Sequence, residues 1–211
     1  MSARGIPHLR DAEPAPVTTG PAPCDPHDSP TPILAMTRYL RRRPRPVGSR
    51  PGTISVEGSA AHPFGVSALR YTRDAVEHLP IEHGGELPEA REGAVLWVDL
   101  VGHTDVEELV RIVRHYGMSD LAIEDAVDVG QRPKLDVTDD AMFLSLRSIS
   151  IIEGEAELRR EQIALYFTEG LVISIQEVEG DEWGIIRGRI ESPDGAFRQH
   201  GADYLWYALL D

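Results

Sequence analysis

The chain contains little cysteine and no long apolar run, and each absence excludes a class of protein. Its only cysteine, Cys24, cannot form an internal disulfide or a multi-cysteine metal site. No segment approaches the roughly 18–20 apolar residues that a membrane-spanning helix needs. The N-terminus has no hydrophobic block behind a basic start, so no secretory signal is predicted. We therefore expect a soluble, intracellular chain.

Enzymatic signatures are also missing. The sequence has no glycine-rich phosphate loop, no G-x-S-x-G nucleophile elbow and no H-E-x-x-H zinc motif. Its eight histidines are scattered, and His103 has no partner at metal-ligand spacing. A Mg²⁺-dependent hydrolase built on an acidic cluster is the enzymatic alternative, but it would lack a nucleophile and a spaced general base. We predict that the chain is not an enzyme.

The charge is strongly acidic and unevenly distributed. The net charge is −14, and residues 1–50 carry eight arginines and four acids, so residues 51–211 carry −18. A folded region this acidic repels nucleic acid and attracts cations. The simpler interpretation is that the acidity keeps the domain soluble, and we expect no nucleic acid among the partners.

Proline marks the boundary between a tail and a folded region. The first 51 residues contain eleven of the sixteen prolines, a composition that cannot bury enough apolar surface to fold. We predict a disordered Pro/Arg-rich tail over residues 1–50, in which a basic cluster is solvated rather than bound to lipid or RNA. The folded region is predicted over residues 51–200, and a further helix over 201–211.

Periodicity in the folded region alternates between strand and helix. Strands are predicted at 54–56, 66–71, 75–79, 94–99, 141–152, 162–168 and 171–176. The segment 94–99 is apolar on both faces, which is typical of a central strand covered by helices. Gly170 can adopt a positive φ, which predicts a hairpin between the last two strands.

Helices are predicted between these strands. Thr104 with Glu107 resembles a capping box for a helix that ends before Gly117, and Ser119 is expected to cap a shorter helix through about Val127. Further helices are predicted at 182–190 and from Gly201. Strands interspersed with helices indicate an α/β fold: a three-layer α/β/α sandwich with a mixed sheet.

An acidic cluster lies near the end of the second helix. Glu124 and Asp125 are adjacent, so they point about 100° apart and cannot form an acid/base dyad by themselves. Asp128 lies four residues after Glu124 and three residues after Asp125. These like charges disfavour the helix unless a hard cation binds them. By spacing alone, a solvated acidic face is the simpler interpretation. Further ligands would have to come from another element or another subunit.

Residues 123–134, IEDAVDVGQRPK, resemble the E-D-(five residues)-Q-R-P-K segment of the CorA magnesium transporters. Pro133 ends the helical continuation, and Arg132 and Lys134 are expected to pair with nearby acids. Four more segments fall in the family's order and span residues 94–211, with a weaker fit back to residue 53: LWVD at 96–99, EQIAL at 161–165, LVISIQE at 171–177 and ADYLWYALLD at 202–211.

The resemblance implies a role and a site. The chain would be the N-terminal cytoplasmic Mg²⁺-sensing and gating domain of a magnesium/cobalt transporter, truncated before its transmembrane helices, with residues 201–211 starting a long stalk helix. The full-length protein would be a homopentamer in the cell (inner) membrane. A regulatory, subunit-bridging Mg²⁺, or Co²⁺, would bind Asp125, with Glu124 and Asp211 at a neighbouring acidic site.

Two alternatives remain open. The same soluble domain occurs in zinc-transporting relatives, and the family's Gly-Met-Asn pore signature, which bears on transport, is absent from these residues. A stand-alone acidic binding or regulatory protein is the second alternative. The residues do not identify the transported ion or the oligomeric state of the fragment.

Overall fold

A computed structural model of the chain describes residues 63–128, 132–151, 158–178, 183–193 and 196–211. The predicted tail at residues 1–50 and the strand predicted at 54–56 lie outside the described residues. The tail and the lower bound of the folded region therefore stay predictions.

Seven strands form one mixed sheet, in the order β2-β1-β3-β7-β6-β5-β4. Strands β3 and β7 run parallel, and every other neighbouring pair is antiparallel. The strands are β1 (Gly65–Tyr71), β2 (Val76–Leu79), β3 (Val95–Val101), β4 (Lys134–Val137), β5 (Ala141–Ile151), β6 (Leu158–Thr168) and β7 (Leu171–Gln176). Only β4 was not predicted: Leu135 and Val137 do alternate with Lys134 and Asp136, but four residues are the shortest run in which such alternation indicates a strand.

Helices cover both faces of this sheet. They are α1 (Val106–His115), α2 (Asp120–Val127), α3 (Gly184–Glu191) and α4 (Ala202–Leu210), with a short 3₁₀ turn at Ala196–Gln199. One hydrophobic cluster joins α1 and α2 to one face of the sheet, and a second joins α3 and α4 to the other. The predicted three-layer α/β/α sandwich with a mixed sheet is confirmed.

The central position predicted for the segment 94–99, which corresponds to β3, is also confirmed. Residues Val95–Leu100 of β3 are buried without interruption, because β3 lies between β1 and β7 and helices cover both its faces. Leu96 and Val98 belong to the cluster under α1 and α2, whereas Trp97 belongs to the cluster under α3 and α4. The strand therefore contributes alternate side chains to two separate cores.

The cap predicted for α1 was wrong by one residue. Asp105 is the N-cap and accepts a hydrogen bond from the backbone N–H of Glu108 at 3.0 Å. The Thr104 hydroxyl instead accepts from the backbone N–H of Phe64 at 2.8 Å. Both residue types are good caps, and a tertiary contact decides between them.

The predicted end of α1 is confirmed. Gly117 has φ +84°, and its N–H donates to the carbonyl of Arg114, while Met118 donates to Val113. This pair of bonds closes the helix in a Schellman motif, which a glycine enters without a Cβ clash. The chain then turns into α2, where Ser119 accepts from the N–H of Ala122 as predicted.

None of the helices in the described ranges combines the length and the apolar character that crossing a bilayer requires.

Candidate metal site at the carboxyl end of the sheet

The candidate acids lie near the end of the sheet where the parallel strands β3 and β7 finish, called the carboxyl end here. Gln162 precedes Ile163, the residue that pairs with Gln176 at this end of the sheet, and it donates its side-chain amide to the carbonyl oxygens of Asp125 and Ala126 at 2.9 and 3.3 Å. Carbonyls in the last turn of a helix have no intrahelical partner, so this amide satisfies two of them. The last turn of α2 is therefore held at the carboxyl end.

Glu124 and Asp125 are both buried in this last turn, with 4% and 6% of their surface exposed. Asp128 is the C-cap, and its N–H donates to the carbonyl of Glu124. No basic residue lies in the last turn of α2, so three acids occupy the negative end of a helix dipole. Both the dipole and the mutual repulsion favour a cation at this position.

Lys134 supplies one positive charge to Asp125. Its amine lies 2.5 Å from Oδ2 of Asp125 and 2.7 Å from Oδ2 of Asp136. Burial alone would lower the pKa of Lys134, but the hydrogen bonds to the two carboxylates outweigh burial and raise it. The lysine is therefore charged, and the pairing of Lys134 with nearby acids is confirmed.

Asp211 lies apart from these acids within one chain. It is the exposed C-cap of α4, whose preceding turn is positioned by a hydrogen bond from the Trp183 indole to the carbonyl of Leu209. Since α2 and α4 pack on opposite faces of the sheet, the structure brings Glu124 and Asp125 together but leaves Asp211 across the sheet. A site that includes all three would need Asp211 from another subunit.

Within the part of the chain that the structure describes, no three His, Cys, Asp or Glu side chains of one chain form a group that could hold a metal ion. The candidate ligands are all carboxylates, which suit hard cations such as Mg²⁺, whereas zinc sites use Cys and His. The chemistry of these donors therefore fits Mg²⁺, which usually keeps several bound waters beside one or two carboxylates.

Another buried carboxylate near the carboxyl end, outside α2, was not found from the sequence. Asp99, in β3, accepts from the Ser174 hydroxyl at 2.5 Å and pairs with the guanidinium of Arg187. Trp97 donates its indole N–H to the same hydroxyl at 2.9 Å, and Arg187 lies over the Trp97 ring. These groups come from β3, β7 and α3, far apart in sequence, so no local pattern could have connected them.

Burial raises the pKa of Asp99 to about 6, although the Ser174 hydrogen bond and the Arg187 charge oppose this rise. Nearby, His103 is 2% exposed, and neither ring nitrogen has a hydrogen-bond partner in the described structure. Burial lowers the pKa of His103 to about 4, so this imidazole is neutral at pH 7. Neither residue joins the acids of α2 in a metal-binding group.

A cavity of about 1220 Å³ lies at the opposite end of the sheet, lined in part by residues 93–95, 168–170 and 201–203. The first residues of α4 line this cavity, so α4 runs from this end of the sheet towards the carboxyl end. The cavity is consequently separate from the acidic cluster.

The family model described as "CorA-like Mg2+ transporter protein" matches residues 92–211, more than half of the chain. The chain belongs to the CorA family. This membership confirms the resemblance noted from the sequence, and it assigns the chain to a family of transport proteins rather than enzymes.

Relatives and solved structures agree with this assignment. The cobalt/magnesium transport protein CorA of Thermotoga maritima is 28% identical over 165 residues, which cover 78% of this chain and 47% of that protein. The CorA-family chain thus spans about half the length of this relative.

Two solved structures share the fold at 16% identity. The complete CorA magnesium transporter of Methanocaldococcus jannaschii matches with a TM-score of 0.52, covering 69% of this chain and 43% of that one. The soluble domain of the same transporter matches with a TM-score of 0.50, covering 68% and 54%. At this identity the likeness shows the α/β fold alone.

Proposed function

We propose that this CorA-family chain is the Mg²⁺-sensing and gating part of a divalent-cation transporter, with Asp125 as the principal ligand. The main support is the buried, acidic last turn of α2, which has no basic residue of its own and lies within the segment that matches the family. In the whole protein this part faces the cytoplasm beneath a cell (inner) membrane.

The regulatory ion bridges subunits. Asp211 and the acids of α2 lie on opposite faces of one sheet, so one chain cannot bring them to a single ion. In a homopentamer, Asp211 of one subunit approaches Glu124 and Asp125 of the next. Mg²⁺ is the ion that carboxylate donors favour, and Co²⁺ is an alternative occupant.

Gating follows from charge. Residues 51–211 carry −18, so five copies around one axis repel each other, and bridging cations offset that repulsion. High cytoplasmic Mg²⁺ favours the closed pore, and depletion of the ion releases the subunits and opens it. The coupling arises because Mg²⁺ binds the two states with different affinity.

The test is thermal unfolding of the whole protein, in its natural reading frame, across a Mg²⁺ titration. Saturating Mg²⁺ is expected to raise Tm by about 5 °C or more, since a ligand at 100 times its Kd contributes about 2.7 kcal/mol. D125N removes the charge with little change in size and is expected to abolish most of the rise.

D120N is the matched control, because Asp120 is an exposed acid in the first turn of the same helix. It should keep the full Mg²⁺-dependent rise. Equal protection in D125N and the wild type would refute the assignment of Asp125. Replacing Mg²⁺ by Zn²⁺ in the same titration tests the zinc-transporting alternative, which predicts stronger protection by Zn²⁺.

A further inference from the structure

Lys134 is the only lysine in the 211 residues, and the other twenty residues of the Lys and Arg total are arginines. This single ammonium group lies 2.5 Å from Asp125, the carboxylate assigned above to Mg²⁺. An ammonium is a compact point charge on a flexible stem, whereas a guanidinium forms a planar, two-pronged pair with a carboxylate. The residue type at this position is therefore the more easily displaced of the two.

We propose that Lys134 is a built-in competitor of the divalent cation, which holds Asp125 when Mg²⁺ is scarce and is displaced when Mg²⁺ binds. This inference rests on the proposed function of Asp125. It adds that the Mg²⁺ concentration at which the site fills is set by an amine of the same chain.

The geometry gives the displaced amine a place to go. Lys134 also lies 2.7 Å from Asp136, two residues along the same strand, and that carboxylate is about half exposed. Among the described strands, β4 lies at the edge of the sheet and pairs with β5 alone. The amine can consequently leave Asp125 and keep Asp136 as a partner. It also lies over the Phe143 ring, 5.9 Å from the ring centroid.

Electrostatics explains why the two cations exclude each other. Asp125 is buried, so its oxygens are accessible to few groups, and the ammonium contacts one of them directly. A bound Mg²⁺ would lie within a few ångströms of that ammonium, and two positive charges at such a distance repel. The ion with two charges replaces the amine once its concentration is high enough.

The first experiment measures the Mg²⁺ concentration that gives half of the maximal rise in Tm, again in the whole protein. K134Q removes the competing charge and is expected to lower this concentration about five- to tenfold, as for the loss of a partly exposed ion pair. K134R keeps a positive charge beside Asp125. Its Mg²⁺ concentration for half of the maximal rise in Tm should therefore be at least that of the wild type.

R114Q is the matched control. Arg114, in the last turn of α1, forms a 2.7 Å ion pair with Asp120 at the other end of α2, so its loss removes an equal positive charge paired with the same helix. The proposal predicts no change of the Mg²⁺ requirement in R114Q. An equal shift in R114Q and K134Q would mean that net charge alone is responsible, which overturns the proposal.

The second experiment needs no variant of Lys134. An amine-selective acylating reagent is applied with and without Mg²⁺, and peptide mass spectrometry gives the acylation rate of Lys134 relative to the α-amine. Displacement by Mg²⁺ should raise that rate severalfold in the wild type. In D125N the rate should already be high and should not respond to Mg²⁺.

The outcomes separate the two proposals. If D125N retains the Mg²⁺-dependent rise in Tm, Asp125 is not the ligand, and both the proposed function and this inference fail. If D125N abolishes the rise but K134Q leaves the Mg²⁺ requirement unchanged, or Mg²⁺ leaves the acylation rate unchanged or lower, only the competition by Lys134 is refuted.

Discussion

Two buried carboxylates near the carboxyl end of the sheet have opposite surroundings. Asp99 lies under α3, where Ser174 and Arg187 bind its two oxygens, and Trp97 packs against both partners. Asp125 lies on the other face, where the lysine that neutralises it comes from an outermost strand and is shared with Asp136.

The difference separates a structural carboxylate from an exchangeable one. Each partner of Asp99 is held by a contact with Trp97, so replacing Arg187 leaves a buried carboxylate without this counter-charge. The partner of Asp125 has a second carboxylate available, so a different cation can take its place. Burial alone does not distinguish the two, because both residues are about equally buried.

The largest effect is expected from R187Q. It removes the counter-charge of buried Asp99 and the contact with the Trp97 ring, and should lower the free energy of unfolding by about 3 kcal/mol, measured by urea denaturation. R189Q, two residues along the same helix and exposed, is the control and should change stability by less than about 0.5 kcal/mol. Similar losses in the two variants would show that Asp99 does not depend on Arg187.

A smaller effect concerns pH. Because burial raises the pKa of Asp99 to about 6, above its unfolded value, the stability this group contributes is fully present below about pH 4 and is lost as the pH rises through 6. D99N cannot titrate. The wild type minus D99N difference in unfolding free energy should therefore fall by about 2 kcal/mol between pH 4 and 7. If this free-energy difference stayed constant or rose with pH, the pKa of Asp99 would not be raised in the folded chain.

K134Q should destabilise the chain less than R187Q, by about 1 kcal/mol without divalent cations, because Lys134 divides its charge between Asp125 and Asp136, whereas Arg187 also packs over the Trp97 ring. Saturating Mg²⁺ should restore this loss, whereas it should not restore the loss in R187Q. Urea denaturation of both variants with and without Mg²⁺ makes the comparison. Recovery of both variants, or of neither, would remove the distinction between the two carboxylates.

The smallest effect is expected from R114Q. Arg114 and Asp120 form an ion pair in which both side chains are more than half exposed, so water screens their attraction. The loss should be below about 0.5 kcal/mol by urea denaturation. A loss comparable to that of K134Q would mean that the burial of Asp125 adds nothing to its ion pair.

Sequence patterns located an element accurately where local chemistry determines its structure. The end of α1 at Gly117 and the β6–β7 turn at Gly170 both need a positive φ, which is a property of one residue. Residues Leu171–Gln176 form a strand with the predicted bounds, because a run of apolar residues between turn signals has few other structures available.

The candidate site was predictable only in part. The acidic cluster at Glu124 and Asp125 was evident in the sequence, and the resemblance supplied its metal-binding role. The burial of these acids and the pairing of Asp125 with Lys134 required the folded chain. Thr104 was taken for the cap of α1 because nothing in the local sequence reveals that Phe64 occupies its hydroxyl. Ser174 and Arg187 meet Asp99 across 75 and 88 residues, beyond the range of any periodic pattern.

The alternation of strands and helices along the chain, apart from β4, and the acidic character of the folded region follow from the sequence by itself, since each reflects composition or contacts within a few residues. The family follows from short motifs in their order along the chain. The tertiary structure decided which carboxylate is paired with which cation, and it placed Asp211 on the face of the sheet opposite Asp125. The physical reason is that a buried charge depends on groups brought close by sheet register and helix packing, at separations that local pattern does not encode.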